Sequence, residues 1–321
     1  MDNDQLPFSE VLDRLFQERT VPVALVYRLS DMTPAESDTF DQRWSEQPDD
    51  RRRIIARHMA DISEENFVVD FSPVFMRLLA DASPAVRLAA LDGLWDTSNL
   101  DVVPHVLDLM RSDADSEVRA AAASTLGHFI LLGEWGQVEE GAADRIVEAL
   151  LEQFARRDLP LAVRRATLES LGNAAHPRVP ELIDDAYRRG EEEMQLSAVF
   201  AMGRSCDRRW VPILIDEMAN PETEMRVEAA RAAGAIGSSD AVDRLIELLD
   251  DEDLEVQLAA VSSLGQIGSE RAHDALNRVM EDPDADLLHE AVEQALDEIE
   301  WLGAEIDLAL MEWDDELDSE L

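Results

Sequence analysis

The sequence predicts an all-α protein made by stacking one kind of helical hairpin about seven times behind an N-terminal helical cap. Three observations carry this. The stretch LEVQLAAVSSLGQIG, Leu254 to Gly268, recurs as EMRVEAARAAGAIG (Glu224 to Gly237), LAVRRATLESLGNA (Leu161 to Ala174) and SEVRAAAASTLGHF (Ser116 to Phe129). Each copy spaces its apolar residues as a helix does. Aromatic residues make up only 5% of the chain beside 46% hydrophobic, a balance that suits Ala- and Leu-rich helices rather than sheets.

Taking Arg87, Arg119, Arg164, Gln195, Arg226, Gln257 and His289 as anchors, successive copies lie 32, 45, 31, 31, 31 and 32 residues apart. The single long step is one repeat plus an insertion. Apolar residues stand one before each anchor and three and seven after it (Val86, Ala90 and Leu94 in the first copy), which is one face of a helix. Eight after the anchor come Gly127, Gly172, Gly203, Gly234 and Gly265. Glycine inside a helix costs about 1 kcal/mol against alanine, so its recurrence predicts close approach of a neighbouring helix, helped by alanines at +2 such as Ala89 and Ala259. The first and last copies carry Trp95 and Asp297 there, as terminal repeats do when one flank has no neighbour.

A second apolar segment of helical spacing precedes each of these helices, as in Val103 to Met110, Val179 to Ala186, Val211 to Met218 and Val242 to Leu249. Pro104, Pro180 and Pro212 sit near their starts, where the missing N–H costs nothing. Short polar turns with proline, Ser83-Pro84 or Asn220-Pro221, join the two helices. Such a hairpin cannot bury its apolar face alone, but a stack can.

These hairpins resemble HEAT repeats, in the short form of about 30 residues seen in phycobilin lyase-type proteins. The pattern [VL]-R-x-x-A-x-x-x-L-G is matched best around Arg119, Arg164 and Arg226. The resemblance covers roughly Phe67 to Leu302 and implies a right-handed α-α superhelix. It also implies a ladder of Asp and Arg along the stack. Asp81/Arg87, Asp113/Arg119 and Asp158/Arg164 keep the six-residue offset, while Arg189/Gln195, Asn220/Arg226, Asp251/Gln257 and Pro283/His289 depart from it. The ladder is therefore expected in the first three repeats and doubtful after them.

Residues 1–65 lie outside the register and read as the cap. An amphipathic helix runs from Leu6 to Glu18 and another from Val21 to Leu29, with Pro22 in its first turn. Thr33-Pro34-Ala35-Glu36 has capping-box form, and a fourth helix, Arg52 to Ile62, turns Ile54, Ile55, Met59 and Ile62 inward. Residues 66–302 form the solenoid. Its insertion, Leu132 to Gly141, reads as a loop whose Trp135 either anchors a partner or folds back on its own hairpin. Residues 303–321 form an acidic C-terminal tail or a capping helix.

The formal net charge is −43, and all 28 basic residues are Arg. Without lysine there is no P-loop, Schiff-base or kinase chemistry. So negative a chain is not expected to bind nucleic acid directly, because phosphate contacts are made by basic residues. The acidity fits either a salty cytoplasm or a basic partner. One cysteine, Cys206, allows no internal disulfide. No basic-then-apolar leader or spanning run is seen, so the expectation is cytoplasmic, with no membrane association.

Chemistry is hard to place on these residues. Deoxyhypusine hydroxylase, a HEAT-like protein, builds its iron site from several His-Glu pairs, and this chain offers one, His289-Glu290. The other histidines show no metal-ligand spacing. No catalytic residue, metal site or cofactor is expected. With −1, +3 and +7 buried, the exposed ridge of the second helices should carry +5 and +9, lining the concave side. Asp92, Asp96, His128, Glu169, Phe200, Arg204 and Arg231 are the candidate binding residues on it. The expected function is a non-enzymatic scaffold or adaptor that holds a protein with a basic surface. The alternative is an enzyme-like relative of the hydroxylase or of the bilin lyases.

Overall fold

The computed structural model describes residues 6–30, 32–65, 69–139 and 141–301. Among these residues there are helices and turns and no strand. Two compact units divide the chain, Met1–Ala174 and Ala175–Leu321. The segment 303–321 lies outside the described residues, and so does Phe67.

The first unit opens with α1 (Phe8–Gln17), which buries Val11, Leu12, Leu15 and Phe16. The apolar run after it is not one helix: Pro22 caps a single turn, α2 (Val23–Val26), and Tyr27–Leu29 continue as a 3-10 turn. Thr33 closes the expected capping box on α3 (Pro34–Trp44), its hydroxyl accepting from Glu36 N at 3.3 Å while Glu36 Oε2 accepts from Thr33 N at 2.9 Å. Next come α4 (Asp49–Glu65), α5 (Ser72–Leu78), α6 (Pro84–Asp92), α7 (Val103–Ser112), α8 (Ser116–Glu134), α9 (Ala142–Phe154) and α10 (Leu161–Leu171). On α4, Ile55, Met59 and Ile62 are buried as expected, but Ile54 is 46% exposed. Leu132 to Glu134, read as loop, belong to α8. Burial of Phe129, Ile130 and Leu132 carries that helix beyond the point where its counterparts end.

The second unit contains α11 (Val179–Arg189), α12 (Glu192–Arg204), α13 (Val211–Glu217), α14 (Thr223–Ile236), α15 (Val242–Leu248), α16 (Leu254–Ile267), α17 (Glu270–Glu281) and a last helix, α18, over 289–301. Here the repeat is visible in its punctuation. Eleven residues after the anchors, Cys206, Gly237 and Gly268 all have left-handed φ, at 49°, 67° and 62°. One residue later Asp207, Ser238 and Ser269 each cap the next helical turn with their side chains. Cys206 is exposed, because it sits at a C-terminal cap where its two successors are glycine.

The register holds in three dimensions. Every −1, +3 and +7 residue is buried, except Leu296 in α18, which is half-buried. Four of the +8 glycines, Gly127, Gly203, Gly234 and Gly265, meet the next second helix of their own unit, and the residue they meet stands at +6 rather than at the +2 alanines. A methyl on Gly127 would come within 2.9 Å of Ser170 Cβ, on Gly203 within 2.7 Å of Ala232 Cα, and on Gly265 within 2.9 Å of Ala295 Cβ. Positions +2 and +6 share a helix face, so the two small-residue signals mark one approach. Ser170 and Ser263, both at +6, also donate to the Ala123 and Ala230 carbonyls at 2.9 and 2.8 Å.

The Asp–Arg ladder differs from the expected one. The six-residue contact is made to a backbone carbonyl: Arg87 Nη1 donates to Asp81 O at 2.7 Å, Arg119 Nη1 to Asp113 O at 3.0 Å and Arg226 Nη1 to Asn220 O at 3.0 Å. Any residue supplies a carbonyl, so Asn220 serves as well as aspartate, and Gln257 still donates to Asp251 O at 2.7 Å. The carboxylate comes from the following turn. Arg87 binds both oxygens of Asp113 at 2.7 Å, and Arg226 both oxygens of Asp251 at 2.9 Å. The same aspartates close their own turns, Asp113 accepting from Asp115 N and Asp251 from Asp253 N. The rung doubted in the sequence, at Arg226, is thus complete. At Arg164, where the pattern was kept, the guanidinium lies 5.3 Å over the Phe154 ring instead. Ahead of Arg87, Arg52 on α4 and the Trp44 indole hold Asp81 at 2.9 and 2.8 Å, so that the ladder reaches back into the N-terminal segment.

Candidate interaction surface

Helical geometry puts +5 and +9 on the face opposite the buried stripe, and the structure leaves these positions exposed or half-buried throughout. Their surroundings differ between the units.

In the first unit the ridge is already bound to itself. Asp92 accepts from Arg57 Nη1 at 2.7 Å, and Arg57 Nε pairs with Asp61 at 2.7 Å. Hydrogen bonding to Asp61 raises the Arg57 pKa against the effect of burial, with Asp92 adding to the rise. Arg57 was missed in the sequence because α4 was read as outside the register. Counted from Arg52, it occupies +5, beside Asp92 at +5 of the next repeat. Asp96 is exposed. His128 is half-buried, and burial lowers its pKa although a hydrogen bond to the Thr97 backbone and the Asp96 charge pull the other way. Glu169 is half-buried and stands 4.0 Å from Arg165.

The second unit carries the open part of the ridge. Phe200 is 37% exposed, and the Arg204 guanidinium lies over its ring at 6.0 Å. Arg231 is exposed at +5 of the next second helix, α14, roughly 10 Å along by ordinary helix spacing. Beyond it the ridge continues as Ala235, Ser262 and Gln266, all exposed, before Gln294 and Glu298. A guanidinium held against an aromatic face, with neutral small residues beside it, suits a peptide or protein contact. Trp135, expected either to anchor a partner or to fold back, is 60% exposed at the end of α8.

Among the described residues no three His, Cys, Asp or Glu side chains are placed to share a metal ion. His289 Nε2 lies 3.1 Å from Asp282 O. No described helix is long and apolar enough to cross a membrane.

Comparison with known proteins agrees with the repeat. The family model for HEAT repeats matches residues 40–127, 71–153 and 211–297, together more than half of the chain. Its first match begins ahead of α4, the helix that supplies Arg52 to the ladder. Among solved structures the chain is similar to the complex of CpcE and CpcF of phycocyanin lyase from Nostoc sp. PCC7120, at 17% identity and a TM-score of 0.52, over 88% of this chain and 96% of that one. Human deoxyhypusine hydroxylase in complex with glycerol aligns at 16% identity over 84% and 99%, with a TM-score of 0.36. Importin beta aligns at 16% over 91% and 44%, with a TM-score of 0.47. Identities this low concern the fold, and the two lower scores add nothing to it. No curated protein matches the chain in sequence.

Proposed function

Because the chain belongs to the family of HEAT repeats, we propose that it is a non-enzymatic scaffold that holds a protein partner on the ridge of its second helices. The observation that carries this is Phe200, a large apolar side chain left 37% exposed beneath Arg204 on a helix whose other large apolar residues are mostly buried. Aromatic and Arg side chains dominate binding energy at interfaces. The partner is a protein with a basic surface, drawn by the net charge of −43, and it places its basic residues around the central contact rather than on Arg204 and Arg231. The related lyase structure is of a complex between two chains, and partnership of that general kind is carried over here as part of the proposal.

The test is a Phe200→Ala/Arg204→Glu double variant of the full chain, checked by circular dichroism for an unchanged helical spectrum. Affinity purification from the native source should lose at least one specific partner relative to wild type. Retention of every partner by the folded variant would remove the ridge from consideration.

A further inference from the structure

Helix α6 stops early. It ends at +5, Asp92, whereas α12, α14 and α16 keep their helices through +9 or +10. The register resumes at +12, where Asn99 caps the next 3-10 turn as Asp207 and Ser238 do in their repeats. Residues 93–98 cross the gap as turn and open chain. Gly93 stands where the helix breaks off. A methyl there would lie 2.2 Å from Phe75 Cζ, so the buried Phe75 ring holds the space that +6 side chains fill elsewhere.

The missing turns leave a cleft of about 640 Å³ between the last turn of α4, the start of α5 and this crossing, within the roughly 300–1,000 Å³ of ordinary ligand sites. Asp70 lines it from the α5 side and Asp96 from the crossing, with Thr97 and Ser98 next in the chain and Pro73 and Met76 as apolar wall. Asn99 Nδ2 reaches Met76 Sδ at 3.9 Å, which joins the two sides.

No basic residue is among the described residues that line the cleft. The arginines of the neighbouring helices are committed elsewhere: Arg57 to Asp61 and Asp92, Arg77 to Asp41 and Arg87 to Asp113. Asp70 Oδ1 accepts from Ser72 N at 2.8 Å, and neither Asp70 nor Asp96 pairs with an arginine among the described residues. In a chain whose cations are all guanidinium, this acid-lined space is left to none of them.

We propose that the cleft binds an alkylammonium group, its charge between Asp70 and Asp96 and its methylene stem along Pro73 and Met76. An ammonium is a compact charge with three donors, able to serve two separate carboxylates and a hydroxyl at once. The chain has no lysine, so the group comes from outside the fold, as a lysine side chain of a bound protein or as a free diamine. The cleft lies in the first unit and the Phe200 contact in the second, and neither depends on the other.

The experiment is a ¹H–¹³C spectrum of the full chain carrying ¹³C-methyl methionine at pH 7, with the Met76 signal assigned by its loss in Met76→Leu. Nα-acetyl-lysine methylamide and 1,5-diaminopentane are titrated separately against NaCl of equal ionic strength. The uncharged Nα-acetyl-norleucine methylamide supplies the stem alone. The expected result is a saturable movement of the Met76 signal with one or both amines. Affinity should be about tenfold lower in Asp96→Asn, and in Asp70→Asn, whose amide oxygen still caps Ser72. Asp108→Asn removes the same charge from an exposed position on α7 and should leave the affinity unchanged. Saturation by the lysine amide names a protein side chain as the source, and saturation by the diamine alone names a free diamine. A signal that stays still, that moves equally with NaCl or the norleucine amide, or whose affinity falls as far in Asp108→Asn overturns the proposal.

Discussion

Replacing Arg226 by methionine isolates the worth of one ladder rung. The side chain is 9% exposed and its partner Asp251 11%. Arg226 donates to both Asp251 oxygens, to Asp253 at 2.9 Å and to the Asn220 and Pro221 carbonyls at 3.0 and 3.1 Å. Methionine replaces the stem's packing and removes every one of these bonds. Asp251 is then left nearly buried with the Asp253 N–H as its remaining donor. Breaking a buried pair from one side costs about 3–5 kcal/mol. The partly exposed Asp253, 44% in its side chain, places this case toward the lower end, about 3 kcal/mol. For a unit near 150 residues that is a fall in Tm of roughly 6–12 °C. Thermal and urea unfolding followed by circular dichroism in 1 M NaCl, where the added negative charge is screened, measures it. Arg119→Met is the control, since that guanidinium holds no carboxylate among the described residues, and its cost should be about 1 kcal/mol. Equal costs for the two variants would refute the account of the ladder as a carboxylate bridge between repeats. The pH dependence has a definite sign. Burial raises the Asp251 carboxyl, but hydrogen bonds from Arg226 and the Asp253 N–H outweigh it and the net shift is downward. The bridge therefore stabilises above the unfolded carboxylate pKa and is lost as pH falls through the lower folded value, so Arg226→Met should flatten the acid limb of the stability curve.

Gly265→Ala should destabilise by about 1–3 kcal/mol through overpacking against Ala295, reversing the gain of about 1 kcal/mol expected at an open helix site; urea midpoints decide the sign. Cys206→Gly should stabilise by about 0.5–1 kcal/mol, because φ is 49° there and glycine occupies the same cap in the next two repeats; a lower Tm would count against that reading. The Tyr187 phenol, raised to about 12 by burial and by its hydrogen bond to Glu217, should vanish from the ultraviolet titration in Tyr187→Phe. Its stabilising effect is present below the ordinary tyrosine pKa and lost as pH rises through about 12. Self-repulsion at a net charge of −43 predicts that Tm climbs with NaCl, and a flat or falling profile speaks against it.

The ridge was legible by elimination: once −1, +3 and +7 turn inward, +5 and +9 must face out, and Phe200, Arg204 and Arg231 do. What that reasoning could not supply was which ridge residues are already bound. Asp92 belongs to Arg57 on a helix 35 residues earlier, and His128 to the Thr97 backbone. Such pairings join neighbouring repeats, where spacing along one helix carries no information.

From the order of its residues alone, this protein is a repeating array of helical hairpins, with the helix starts of α3 and α7 and the buried stripe of every second helix readable in advance. Those features are local, set by capping, proline geometry and a 3.6-residue period that acts within a few turns. Tertiary structure decided where each charge goes. The contact at the six-residue offset proved to be a carbonyl, which every residue has, and the carboxylate came from the next turn, some 25 residues further on. Only packing of one hairpin on the next brings that group within reach, and so only the folded chain distinguishes the complete rung at Arg226 from the one at Arg119, which keeps the carbonyl contact and leaves its Nε without a partner among the described residues.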